Sequence, residues 1–155
     1  MRSTQLLAIA VALAAVSVTT AAVRNGASVA ETKKPTITVY KDPSCGCCKN
    51  WIAYLEKHGY RVDAKDTPNM PEIKHSLGVP DGLTACHTAV VNGYLIEGHV
   101  PAEDIDRLLA QKPTIAGIAV PGMPMGSPGM DGSPAQRYKV ISFDKAGKTK
   151  VFASH

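Results

Sequence analysis

Ile37-Thr38-Val39-Tyr40-Lys41-Asp42-Pro43-Ser44-Cys45-Gly46-Cys47-Cys48-Lys49-Asn50-Trp51-Ile52-Ala53-Tyr54-Leu55 leads from an apolar β-run into a helical pattern. Three of the chain's four cysteines sit at the changeover. Cys48, Trp51, Ile52 and Leu55 recur at spacings of three and four, which places the thiols in a turn and in the first turn of a helix. Helix N-termini carry partial positive charge and unpaired N–H groups, so they favour thiolate over thiol. Lys41 and Lys49 add to that field. Thiolate is the form that binds soft metals and attacks disulfides. One cysteine in a strand could be mere packing, but three around a glycine at a strand-to-helix turn predict a reactive site.

Upstream, Met1-Arg2 precedes an uncharged run from Leu6 to Val18, followed by small polar residues. This is the n-region, h-region and cleavage pattern of a secretory leader, spanning residues 1–22 if cut after Ala22, or reaching as far as Ala30. The run is short for a spanning helix, so membrane attachment is expected only through an uncleaved leader. Residues 23–34 read as a polar linker, and residues 35–155 as one domain with room for a modest core. Loss of Arg2 and Arg24 with a leader ending at Ala30 would leave 15 basic residues against 13 acidic ones. That balance, with no basic stripe among aromatics, argues against nucleic acid as a partner. Four cysteines in an exported chain ordinarily suggest two disulfides. A stapled scaffold, however, spreads its cysteines along the chain, and adjacent Cys47 and Cys48 make a poor pair.

Beyond the cysteine turn, the helix from about Cys47 stops at His58-Gly59, and Tyr60 to Lys65 alternates as a second strand, parallel to the first. Asn69, Pro71 and Glu72 open a short helix that ends at Gly78. Leu83 to Val91 leads into a third strand, and Asn92-Gly93 turns it into a fourth, Tyr94–Glu97. A third helix follows Pro101, with Ile105, Leu108 and Leu109 inward, and closes at Lys112-Pro113. The order is β-α-β-α-β-β-α, and it resembles the thioredoxin-like α/β fold over residues 36–112. In residues 121–134, eight of fourteen are Gly or Pro, so neither helix nor central strand can form there. Tyr138–Phe143 and Lys148–Phe152 read as a C-terminal β-hairpin whose partner the sequence does not name.

The fold resemblance implies convergence. If the third strand lies antiparallel beside the first, Cys86 and His87 at its start face the cysteine turn, and His99 after the fourth strand reaches the same edge. Met123, Met125 and Met130 hang on the Gly/Pro loop outside any apolar periodicity, where exposed thioethers suit soft-metal ligation or lid duty. Cu(I) takes thiolate and thioether together. Zinc prefers two separated chelating pairs, and iron–sulfur spacings differ. Thiolates can also bridge several cuprous ions, which suits a compact set. The competing class is thiol–disulfide exchange, because Cys45 and Cys48 form a C-x-x-C. A third cysteine inside that motif, and Ala85-Cys86-His87-Thr88 with no proline at the start of the third strand, count against exchange. A disulfide-stapled binding module is the third reading.

Cys45-Gly46-Cys47-Cys48, Ala85-Cys86-His87-Thr88-Ala89, Ile96-Glu97-Gly98-His99-Val100-Pro101 and Gly117 to Met130 occur in one order. Together they resemble the CopG-type copper-resistance proteins, a family also described as a domain of unknown function. The resemblance covers roughly residues 36–152. It implies an exported, periplasmic, thioredoxin-like protein that binds copper ions, works with other periplasmic copper-handling proteins, and interconverts Cu(I) and Cu(II). Any enzymatic reaction would be electron transfer at copper. By position, Cys45, Cys47, Cys48 and Cys86 are the implied thiolate ligands, with His87, His99, Met123, Met125 and Met130 as further candidates.

Other residues read more simply. His58 favours a helix C-terminus, His75 a helix surface, His155 the chain end, and Met70 packing. Asp42 and Ser44 read as turn and cap residues, and Lys41 and Lys49 more as solvated lysines than as tuners of thiolate charge.

Overall fold

The computed structural model describes residues 33–155. The expected leader at 1–22, both cleavage points and linker residues 23–32 lie outside them. At the linker's end, Lys34 Nζ lies 2.7 Å from the Asp106 carboxylate and over the Tyr60 ring. Among the described residues, no helix is long and apolar enough to cross a membrane.

The chain forms a mixed α/β structure with one seven-stranded sheet and three helices. In chain order these are β1 (Thr36–Lys41), α1 (Gly46–Lys57), β2 (Arg61–Asp66), α2 (Met70–Leu77), β3 (His87–Val91), β4 (Tyr94–Glu97), α3 (Ala102–Gln111), β5 (Gly117–Ala119), β6 (Lys139–Phe143) and β7 (Thr149–Ser154). The spatial strand order is β2-β1-β3-β4-β5-β6-β7. As the helix-sized gap predicts, β1 and β2 are parallel. β3 lies antiparallel to β1 with Lys41 opposite His87, and β4 lies antiparallel to β3 with Thr88 opposite Glu97.

Local chemistry explains the boundaries. Cys45 caps α1, its sulfur accepting from the Cys48 N–H at 3.3 Å. Before it, Asp42 Oδ1 accepts from the backbone N–H of Ser44 at 2.8 Å and from its hydroxyl at 2.5 Å, an Asx turn that aims the chain into the helix. Asn92 and Gly93 both adopt positive φ, the pair a tight two-residue hairpin requires. Cys48, Trp51 and Leu55 form the buried face of α1. Trp51 and Leu55 pack with Ile37, Val39, Ile96 and Ile105 in the main core.

The C-terminal hairpin has a partner that the sequence did not announce. β5 pairs parallel with β4 on one side and antiparallel with β6 on the other, so the hairpin extends the central sheet. Phe143 of β6 is buried against Leu95 and Ala119. The strand Gly117-Ile118-Ala119 is three residues long, begins with glycine and is buried throughout, so it shows no alternation.

Candidate metal centre

The register of β1, β3 and β4 assembles the site. Cys86 immediately precedes the strand residue opposite Lys41, and Lys41 leads directly into the cysteine turn. His99 follows β4 at the same end of the sheet. The four cysteine sulfurs therefore lie within 4.8 Å of one another, and Cys86, His87 and His99 form a second such group through the shared Cys86. Cys47 Sγ is 3.6 Å from Cys45 Sγ and 3.7 Å from Cys86 Sγ. Cys86 Sγ is 3.3 Å from His87 Nδ1 and 3.1 Å from His99 Nε2.

Cys45 and Cys48 are joined by a disulfide, their Cα atoms 5.4 Å apart, within the span a disulfide bridges. Of the four expected thiolates, only Cys47 and Cys86 are free in this state. Cys86 is not poised as a thiolate either. Burial, with Cys47 beside it, pushes its thiol up to about 12, so it holds its proton at neutral pH.

The proton positions follow from one fixed acceptor. His99 Nδ1 lies 2.7 Å from the Pro128 carbonyl, which can only accept, so Nδ1 carries the hydrogen. Burial holds His99 below its ordinary range, keeping it neutral and leaving Nε2 a lone pair that the Cys86 S–H meets. With that proton committed, Cys86 Sγ accepts from His87 Nδ1–H. His87, fully buried and held well below 6.5, then keeps a bare lone pair at Nε2. Among the described residues, this is the one buried side-chain nitrogen or oxygen without a partner. Leaving such an atom unsatisfied costs about 1–3 kcal/mol. Trp51 backs the pair, its ring centroid 4.3 Å from that of His87, its Nε1–H donated to the Val100 carbonyl at 3.0 Å.

This donor set fits a soft cation: two thiols, two sulfurs released on reduction, and two neutral imidazoles with unprotonated nitrogens. Bringing all four sulfurs to a metal as thiolates takes two electrons into the Cys45–Cys48 bond and removes the protons of the Cys47 and Cys86 thiols.

The Gly/Pro loop touches the centre through its backbone. Besides the Pro128 carbonyl, Gly129 at φ +81° lies against α1, where an added Cβ would meet Trp51 N at 2.6 Å and Cys47 O at 3.1 Å. Met123 and Met125 are exposed. Met130 is half-buried, and the Met125 thioether packs against Gly132 of its own loop. The structure thus brings Cys45, Cys47, Cys48, Cys86, His87 and His99 together.

Among the other residues, Lys41 differs from the sequence reading. It is buried and paired with Asp66 at 2.5 Å, because it ends a central strand whose neighbour β2 supplies the carboxylate. Lys49 and His75 are exposed, and Met70 is buried. His58 caps α1 with Nδ1 2.8 Å from the Tyr54 carbonyl, and His155 reaches Asp104 at 2.7 Å. Sequence reasoning missed Lys74 and Glu97, a buried pair 2.5 Å apart beside Cys86. The available signal was helical spacing, since Lys74 follows Met70 by four residues and so shares its buried face.

A family model described as "Protein of unknown function, DUF411" matches residues 83–130, from the approach to Cys86 to Met130. Comparison with curated proteins gives no match. Two solved structures are similar. One, copper resistance protein copG in Form 2, is 41% identical with a TM-score of 0.75, the alignment covering 79% of this chain and 98% of that one. The other, the same protein in Form 1, is 42% identical with a TM-score of 0.74 and the same coverages. With that identity sustained over nearly the whole of those chains, and the sulfur–imidazole cluster within the fold, this chain belongs to the copG copper-resistance protein family.

Proposed function

We propose that this protein is an exported, periplasmic copper-handling protein that holds Cu(I) at the cysteine–histidine centre and exchanges it with other copper-handling proteins. The observation that carries this reading is the meeting of four sulfurs and two neutral imidazoles through the shared Cys86. Copper here is cargo. Cys47, Cys86 and His99 form the part of the set available while the Cys45–Cys48 disulfide stands. Reduction adds Cys45 and Cys48 and gives enough thiolates to bridge more than one ion. His87 offers its unpartnered nitrogen, and Met123 and Met125 stand on an exposed stretch of the loop where an incoming ion could be captured; Met130 lies one residue from the docked Gly129. A donor set that mixes soft sulfur with imidazole also suits a redox role, in which copper passes between Cu(I) and Cu(II) by giving one electron to, or taking one from, an external redox partner.

The test is anaerobic titration of the full chain, before and after reduction, with Cu(I) against a chromogenic chelator. Reduced protein is expected to take up more copper than oxidised protein, with most of it lost in Cys86→Ser. Equal uptake by wild type and Cys86→Ser would overturn the reading.

One observation favours a second reading, thiol–disulfide exchange: the Cys45–Cys48 disulfide caps α1, with Cys45 the more exposed partner. A substrate thiolate would attack Cys45 and release Cys48 as thiolate, and a second substrate thiol would resolve the mixed disulfide. Insulin-type reductase activity unaffected by copper would favour this reading.

A further inference from the structure

Cys86 and His87 stand between two residues gripped by one buried carboxylate. Glu97, fully buried at the end of β4, accepts the Ala85 backbone N–H at Oε1 (2.6 Å) and the Thr88 hydroxyl at Oε2 (2.6 Å). Lys74, reaching in from α2, donates to Glu97 Oε1 at 2.5 Å and to Thr88 Oγ1 at 2.9 Å. The Gly98 N–H adds a bond to the His87 carbonyl at 3.0 Å. Gly98 also lies so close to the segment that a Cβ there would stand 2.6 Å from Ala85 Cβ. A cleft of about 390 Å³ has Lys74, Ala85 and Cys86 in its wall, so the lysine of the pair and the thiol line one space.

Stability alone is a weak reason for this arrangement. Taking two charges out of water is costly, and well-packed apolar residues often serve as well or better. An apolar pair cannot hold the Ala85 N–H. That group lies before the β3 ladder begins, in the bend that sets where Cys86 points. An ionised acceptor makes that bond shorter and stronger than a neutral one would. We propose that Glu97 and Lys74 are positioning residues of the copper centre: they clamp Ala85 and Thr88 so that Cys86 Sγ stays within reach of Cys47 Sγ and His99 Nε2. The inference rests on the copper reading above, since it concerns ligand geometry at that centre. Neither side chain need touch the metal.

Two double variants separate geometry from mere stability. Lys74→Met with Glu97→Leu removes both charges and the acceptor for Ala85. Lys74→Met with Glu97→Gln removes the charges but keeps an acceptor oxygen. Thermal unfolding, amide hydrogen exchange at Ala85 and Cys86 in the metal-free chain, and Cu(I) affinity by chelator competition on reduced protein are measured for each. The leucine variant is expected to unfold near the wild-type temperature, to exchange the Ala85 amide faster, and to lose about 10–100-fold in Cu(I) affinity, as removal of groups that orient ligands does elsewhere. The glutamine variant should recover most of both losses. A folded leucine variant with wild-type affinity and wild-type exchange overturns the proposal. Should that variant not fold, Thr88→Val carries the test with a smaller loss in the same direction, and unchanged affinity there refutes the clamp. A wild-type chain that takes up no Cu(I) sinks the copper reading itself, and exchange at Ala85 and Cys86 then decides the clamp alone.

Discussion

Replacing Gly129 by alanine should detach the Gly/Pro loop from the centre without touching any sulfur or imidazole. Two costs coincide there. A side chain at φ +81° occupies the left-handed region, at roughly 1–2 kcal/mol. The new Cβ would also stand 2.6 Å from Trp51 N, 3.0 Å from Trp51 Cα and 3.1 Å from Cys47 O. All three are backbone of one helix and cannot swing aside, so overpacking adds about 1–3 kcal/mol. Against this total of about 2–5 kcal/mol, the bond from His99 Nδ1–H to Pro128 O contributes about 1 kcal/mol. The loop's other hydrogen bonds, such as Gly126 N to Met130 O and Met130 N to Ser127 O, are internal and survive its lifting. Lifting is therefore less costly than staying. Global stability should fall by only about 1–2 kcal/mol, since the strength of the loop's attachment to the centre sets the upper limit. Freed of Pro128, His99 no longer needs its hydrogen on Nδ1. The assays are long-range nitrogen–proton NMR of the imidazole, reading the tautomer, and chemical denaturation. Gly129→Ala should shift His99 away from the Nδ1–H tautomer. A variant of wild-type stability that keeps His99 wholly Nδ1–H would refute this account of how the loop governs the histidine.

Acid should destabilise the fold through its two buried histidines. His87 and His99 are depressed below 6.5 in the folded chain, so their contribution is complete above that pH. Below it, stability falls by about 1.4 kcal/mol per pH unit per group until the folded pKa is reached. Urea midpoints at pH 7, 6 and 5 check this, and His87→Phe should flatten the slope. Because the Cys86 thiol is pushed up to about 12, soft-metal binding at pH 7 should release its proton. Calorimetry in buffers of differing ionisation enthalpy should show that release, and affinity should rise up to about tenfold per pH unit. Phe143→Ala, which empties the contact holding β6 against β5 and β4, should cost about 3–5 kcal/mol by denaturant unfolding. A loss below about 1 kcal/mol would mean that the hairpin is not part of the cooperative core.

What the sequence disclosed, and what it withheld, divides along a physical line. Side-chain patterns disclosed the cysteine turn, because the strand run, the turn residues and the helical spacing are all local. The approach of Cys86 and His99 came from the fold resemblance, which supplied a strand order that the side-chain patterns leave open, and the antiparallel registers of β1 with β3 and β3 with β4 agree with it. β5 stayed hidden: its three buried residues make a strand only by virtue of the neighbours on both sides. The Lys74–Glu97 pair stayed hidden because charged letters read as surface unless the partner is already in view. The oxidation state of Cys45 and Cys48 is not encoded at all, since thiol and disulfide share one letter.

The loop is the most instructive case. Its sequence draws attention to Met123, Met125 and Met130, yet it meets the centre through a carbonyl at Pro128 and the missing Cβ of Gly129. Both are backbone properties, which no pattern of side chains records. Soft sulfur on such a loop and a backbone lock on His99 are compatible roles, and they separate experimentally. Changing Met123 and Met125 to leucine should leave the His99 tautomer as it is, whereas Gly129→Ala should alter it with every methionine in place.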